Sequence, residues 1–178
     1  MLEGIIRESI NKAGTNALRN DGYLIANIYG KGFENINAAF KMNEYIRSVR
    51  NKENIAFPVS IEGKELNVVV QSYEAQPVTG VLLHVDLMVA QPGVKTTYNI
   101  PVVPVGEAKG LKNKGLLHMA KSRLTVKCTP ENLLNKIEID VTDMDVNDSK
   151  LVRDLPELEN IKVLDSDRVA LISIIKAK

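Results

Sequence analysis

The chain has 178 residues, enough to bury one large core or two small ones, and its 23 basic side chains nearly balance 22 acidic ones. That balance excludes a strongly cationic tail or a highly basic nucleic-acid binder, although it leaves room for a local basic patch. A single cysteine, Cys128, excludes an intrachain disulfide framework.

The opening residues 1–8 lack the basic-then-apolar layout of a signal peptide, so the expectation is a soluble, cytoplasmic protein with no membrane partner. Residues 11–21 suggest a short helix ended by Gly22. The apolar run 24–29 is too short, and Lys31 too close, for a membrane span. It suits a strand that ends at Tyr29, just before Gly30. Residues 39–52 carry the best helical pattern. Phe40, Tyr45, Ile46 and Val49 recur on one side, and Lys41, Glu44, Arg47 and Arg50 take the other. Glu62-Gly63-Lys64 then reads as a hairpin turn joining 55–61 to a strand at 66–71.

Residues 81–90 form a long β-branched run, closed by the breaker Gln91-Pro92-Gly93, where a domain boundary is expected. Further strands are expected at 98–105, 124–128, 137–141 and 168–175. Charge segregates in this second half. Residues 95–136 hold eight basic and two acidic side chains, and residues 138–167 hold ten acidic and three basic. The Gly- and Lys-rich stretch 106–115 reads as a mobile cationic loop, either solvated or laid against phosphates. Asp140, Asp143, Asp145 and Asp148 lack the sixth-position Gly and closing Glu of an EF-hand, so they suit turn caps better than calcium. Cys128 ends a strand and reads as a small core residue, not a nucleophile.

Candidate chemistry centres on the first half. His84 and Asp86 stand two apart in an apolar run, and on a strand such residues share a face. They form either a site or a structural hydrogen-bonded pair. An enzyme would need a nucleophile, a base and an orienting group that converge. The chain offers two histidines, His84 and His118, and no G-x-S-x-G, H-E-x-x-H, paired cysteines or P-loop. A nucleic-acid reading absorbs more of the oddities. The Tyr29 ring can lie against a ribose or base, and Gly30 lets a backbone approach. Amides and imidazoles such as Gln71 and His84 can read base edges and 2′-hydroxyls in a shallow RNA minor groove. Asp86 can accept from a guanine amino group or orient His84.

At these residues the sequence resembles the bacterial large-subunit ribosomal proteins that bind 5S rRNA, in their long form of the general stress protein CTC type. The matching elements are Arg7, Leu18-Arg19, Ile28-Tyr29-Gly30, Gly63-Lys64, Val70-Gln71, Gln76-Pro77 and His84-Val85-Asp86. In the second half they are the Pro-rich run 101–110, Ile139-Asp140-Val141, and Asp148-Ser149 before Val152-Arg153-Asp154-Leu155. The resemblance implies a mainly β protein. An N-terminal closed barrel with short helices would span residues 1–92, and a β-rich domain 93–178. It also implies docking on the minor groove of loop E of 5S rRNA and a place in the central protuberance beside other large-subunit ribosomal proteins. It implies no cofactor or metal, and a monomer off the ribosome. By position, Arg7, Lys12, Thr15 and Arg19 would approach phosphates and sugars, while Tyr29, Gln71, His84 and Asp86 would face the groove.

The sequence also departs from that pattern. Asn16-Ala17 stands where a basic cluster is usual, Leu24-Ile25-Ala26 where a Pro is usual, and Gln76 where a His is usual. Residues 1–92 hold nine basic and ten acidic side chains, which implies weaker or less salt-sensitive binding than a more basic relative would show. The rival readings are a stress-related protein-interaction module on the same fold without RNA binding, and an enzyme built on His84 and Asp86.

Overall fold

The computed structural model describes residues 2–8, 10–52, 54–156, 158 and 160–176. The chain divides into two compact units, Met1–Val94 and Lys95–Lys178.

The first unit is a closed six-stranded barrel, β1 (Leu2–Ile6), β2 (Tyr23–Gly30), β3 (Phe33–Lys41), β4 (Phe57–Ile61), β5 (Lys64–Ala75) and β6 (Leu82–Val89). Around the barrel the order is β1-β3-β2-β6-β5-β4, closed by a parallel pairing that sets Leu2 beside Val59. A second parallel pairing joins β2 to β6. Closure removes the unpaired edges that an open sheet would expose. Period-two alternation fills the interior: Leu24, Ala26 and Ile28 point inward with Ala38 and Phe40 of β3 and Val85, Leu87 and Val89 of β6. β1 passes close to that core, since a side chain at Gly4 would overlap the Phe40 ring.

Two helices decorate the barrel. In α1 (Lys12–Asn20) the Asn11 side chain caps the first turn by accepting from the Gly14 N–H at 2.7 Å. The helix stops before Gly22, whose φ of +80° suits a residue without Cβ. This matches the expected helix at 11–21. The second, α2 (Met42–Arg50), directs Tyr45, Ile46 and Val49 to the core. The helix expected at 39–52 is therefore too long at its start. Ala39 and Phe40 belong to β3, where Ala38 and Phe40 are both 0% exposed on the strand repeat. Barrel packing outweighs the helical spacing there. The expected hairpin is present, with Glu62 and Gly63 at φ +48° and +80°, the double left-handed turn that matches strand twist.

The second unit holds β7 (Thr96–Val105), a helical turn α3 (Lys109–Lys112), β8 (Gly115–Met119), β9 (Arg123–Cys128), β10 (Ile137–Asp140), β11 (Ser149–Leu151), β12 (Lys162–Val163) and β13 (Ala170–Lys176). They form a four-stranded sheet β10-β7-β9-β12 and a three-stranded sheet β11-β13-β8. The four longer expected strands are present with shifted ends, whereas β8, β11 and β12 were not expected. Tyr98, Ile100, Leu124, Val126 and Cys128 are buried, and burial pushes the Cys128 thiol up, as a core cysteine requires.

The loop 106–115 corrects the expectation of a mobile cationic segment. Its middle is α3, and Gly110 is buried. Lys109 reaches Asp143 at 2.7 Å, and the Asn113 amide donates to Asp145 at 3.0 Å. Its glycines serve close approach: a Cβ on Gly115 would lie 2.6 Å from the Gly110 carbonyl oxygen. The acidic stretch caps turns, as its spacing suggested. Asp140 accepts from the Thr142 N–H and hydroxyl, and Asp148 accepts from the Asp145 N–H. Among the described residues no helix is long and apolar enough to cross a membrane.

Candidate nucleic-acid interface

Register decides which side chains meet on the outside of the barrel. Asn37 of β3 lies opposite Asn27 of β2, Asn27 beside Asp86 of β6, and Asp86 opposite Ser72 of β5. One polar row therefore crosses four strands on the outer face. The adjoining row sets Ala39 opposite Ile25, Ile25 beside His84, and His84 opposite Glu74. Helix α1 lies against β2, and Ile25 and Ala39 are buried although they point away from the barrel interior.

The expected residues gather around these rows. His84 Nδ1 lies 3.6 Å from Asp86 Oδ1, with side chains 28% and 32% exposed. That separation is electrostatic, too long for a hydrogen bond. The Ser72 hydroxyl donates to the other Asp86 oxygen. Tyr29 follows two residues after Asn27 on the same face; partial burial, and then the Asp86 carboxylate, push its phenol up. Gln71 occupies the register shift between Val70 and Ser72, where a bulge re-aims its side chain.

The cations and α1 border the same face. The Arg7 N–H donates to the Asn37 carbonyl at 2.8 Å, and its guanidinium donates to the Thr15 hydroxyl at 2.6 Å. Arg19 donates to the Leu83 carbonyl at 3.2 Å, one residue from His84. Lys12, Thr15 and Arg19 follow helical spacing along one side of α1, with Lys12 exposed on its first turn. Four buried polar atoms here lack a hydrogen-bond partner among the described residues: Arg7 Nε, Arg19 Nε, Asn27 Oδ1 and Gln71 Oε1.

Sequence reasoning missed Asn27, Asn37 and Ser72. Asn27 carried a readable signal, being the lone polar residue in the run 24–29, as His84 and Asp86 are in theirs. Ser72 and Asn37 gain meaning only from cross-strand register. The other histidine, His118, is exposed on β8 in the second unit.

This geometry does not make a catalytic triad. Ser72 donates to Asp86, and among the described residues no nucleophile hydrogen-bonds to the imidazole. The face lies on the outside of a closed barrel and offers donors and acceptors without a nucleophile–base pair. The fold defines a mainly β protein of two compact units, a closed barrel followed by a β-rich unit.

The comparisons with known proteins agree. Residues 2–87 match the model of the ribosomal L25p family, and residues 95–178 match that of the C-terminal domain of ribosomal protein TL5. The large ribosomal subunit protein bL25 of Sulfurimonas denitrificans is 66% identical over all 178 residues, and both chains are covered in full. The proteins of the same description from Wolinella succinogenes and Helicobacter hepaticus are 62% and 56% identical, again with full coverage of both chains. The chain belongs to the ribosomal L25p family, in the form that carries a TL5-type second domain. It is a ribosomal protein of the large-subunit type, not an enzyme.

Proposed function

We propose that the chain binds 5S rRNA within the large ribosomal subunit, laying the outer barrel face on the minor groove of loop E and helping to build the central protuberance. The observation that carries this reading is the polar row Asn37–Asn27–Asp86–Ser72, flanked by buried polar atoms that have no hydrogen-bond partner among the described residues. An A-form minor groove is wide and shallow, and it displays 2′-hydroxyls and base edges. Those groups complement this face. The amide oxygens of Asn27 and Gln71 accept from 2′-hydroxyls or guanine amino groups. The free Nε–H of Arg7 and of Arg19 donates to sugar or phosphate oxygens. Asp86, steadied by Ser72, reads a guanine amino group, and Tyr29 lies against a ribose. Lys12 and Thr15 extend the backbone contact along α1.

The protein would act in the cytoplasm, on the ribosome, and would be monomeric away from it. The near-neutral barrel favours one rival, a stress-related module that contacts only proteins. Co-sedimentation with ribosomes in high salt tests that rival, because such a module would stay in the supernatant.

The deciding experiment is a gel-shift titration with 5S rRNA from the same organism, using a loop-E mutant RNA as competitor. The expected result is tight binding that is lost on loop-E mutation. His84→Ala and Tyr29→Ala should each weaken the complex several-fold to roughly tenfold, the worth of one or two hydrogen bonds, with the fold intact. Equal, weak binding to both RNAs would overturn the proposal.

A further inference from the structure

The outer face of the β10-β7-β9-β12 sheet carries a feature that the barrel reading does not use. Along β9 the buried residues Leu124, Val126 and Cys128 alternate with outward ones, and Lys127 is among the latter. Thr97 of β7 lies opposite Lys127, and Lys127 lies opposite Lys162 of β12. One outward row therefore reads Thr97–Lys127–Lys162 across three strands. Lys95 joins Lys127 and Lys162 in lining a groove of about 520 Å³, together with Asn160 and Leu164.

Two ammonium groups directly opposite each other on neighbouring strands repel, which costs the sheet stability. An opposite charge on the short strand β12 would relieve that cost. Among the described residues none of the three lysines forms an ion pair. Asp165, beside this face, is already committed to Lys121 at 2.5 Å and to the Thr125 N–H at 2.8 Å. The groove's lining includes three lysines and no carboxylate. A row of lysines on a sheet, without an ion pair among the described residues, is suited to a polyanion with regularly spaced charges.

We infer that this groove is a second RNA contact, in which Lys95, Lys127 and Lys162 seat on backbone phosphates and Thr97 and Asn160 supply hydrogen bonds. The contact is to backbone and is independent of sequence. It rests on the ribosomal reading only for the choice of RNA as the polyanion. It also places cations in the second unit that the barrel, at nine basic and ten acidic residues, lacks.

The test uses the full chain and a short A-form RNA duplex of arbitrary sequence without loop E, followed by fluorescence anisotropy across a salt series. The K127Q/K162Q variant should bind the duplex roughly tenfold more weakly at low salt, and its log-affinity against log-salt slope should be shallower by about two. K127R/K162R should keep both values. Against a Tyr29→Ala/His84→Ala background, which weakens the 5S complex, K127Q/K162Q should still lower duplex affinity by the same factor and flatten the salt slope by the same amount, so failure of one proposal is distinguishable from failure of the other. No measurable binding of the wild-type chain to the duplex would overturn the inference. Duplex binding by K127Q/K162Q equal to wild type would overturn it as well. Tighter binding of a polyglutamate peptide than of the duplex would do the same, and would mark the groove as a protein dock.

Discussion

The two units of this protein solve the same burial problem in opposite ways. The barrel closes on itself, so each of its six strands is paired on both sides. Its outer polar groups are not needed to blunt an edge and can be left partly unpaired. The second unit is made of two small open sheets with edges at β10, β12, β11 and β8. There several polar side chains bind one another, the row Lys127–Lys162 apart. Lys109 reaches Asp143, Asn113 reaches Asp145, Lys121 reaches Asp165, and Asp140 caps its own turn. Closure frees a surface for recognition, whereas an open architecture ties much of its surface down.

The most severe way to break the barrel alone is Phe40→Ala. The ring is fully buried and fills the space over Gly4. Its loss should cost about 3–5 kcal/mol. Calorimetry should show two transitions with only one lowered. A single transition that falls as a whole would show that the units unfold together, and would remove the contrast. The counterpart in the second unit is Gly115→Ala. The new Cβ would press on the Gly110 carbonyl and on Ile174, and backbone cannot swing aside as a side chain can. A loss of about 1–3 kcal/mol, confined to the other transition, is expected.

A smaller effect separates the units by pH. Burial alone would raise the Asp165 carboxyl, but the Lys121 ammonium and the Thr125 N–H outweigh it and hold the group below the ordinary value of 3.8. Hydrogen bonds from Thr142 do the same for Asp140, and those from Asn113 and Val146 for Asp145. A carboxyl depressed in the folded state binds fewer protons there than in the unfolded chain. Its contribution is therefore complete above about pH 4 and is lost as pH falls through the lower folded value. All three lie in the second unit, so its transition should move first in acid. Asp165→Asn should lower that transition at neutral pH and flatten its acid limb. If the acid limb is unchanged in the variant, Asp165 is not the group that carries it.

Local patterning made much of this contrast legible in the sequence, while long-range pairing stayed hidden. β5, β6, β7 and β9 announced themselves by β-branched composition and bounding breakers. β3 did not, because Ala38, Ala39 and Phe40 run on into a helical pattern, and only barrel packing shows that they alternate. Closure itself rests on Leu2 meeting Val59, a pairing that no local window contains. The resemblance supplied the barrel; the residue pattern could not. The site behaved alike. His84 and Asp86 were readable as polar interruptions of an apolar run. That Asn27 stands beside Asp86 depends on a parallel pairing between strands distant in sequence. Of the lysines in the loop 106–115 that were weighed as phosphate contacts, Lys109 is bound to Asp143, whereas the cross-strand lysine row, without an ion pair among the described residues, lies at Lys127 and Lys162 and depends on a pairing that no local window contains.

The smallest stability effect is expected where the barrel is least buried. α1 contains no buried residue, and its first turn is held by the Asn11 cap. Asn11→Ala removes that acceptor at a cost of about 1 kcal/mol to the helix. Because so little of α1 is packed, that cost should fall mainly on local fraying, and the barrel transition should shift far less than in Phe40→Ala. The effect on RNA should be proportionally larger. Lys12 and Thr15 sit in the loosened turn, and Thr15 is the hydroxyl that holds the Arg7 guanidinium. A frayed first turn releases all three from the face together, so the 5S complex should weaken several-fold while calorimetry hardly changes. If affinity instead tracks the small loss of stability, α1 only braces the barrel, and the recognising surface is the strand face alone.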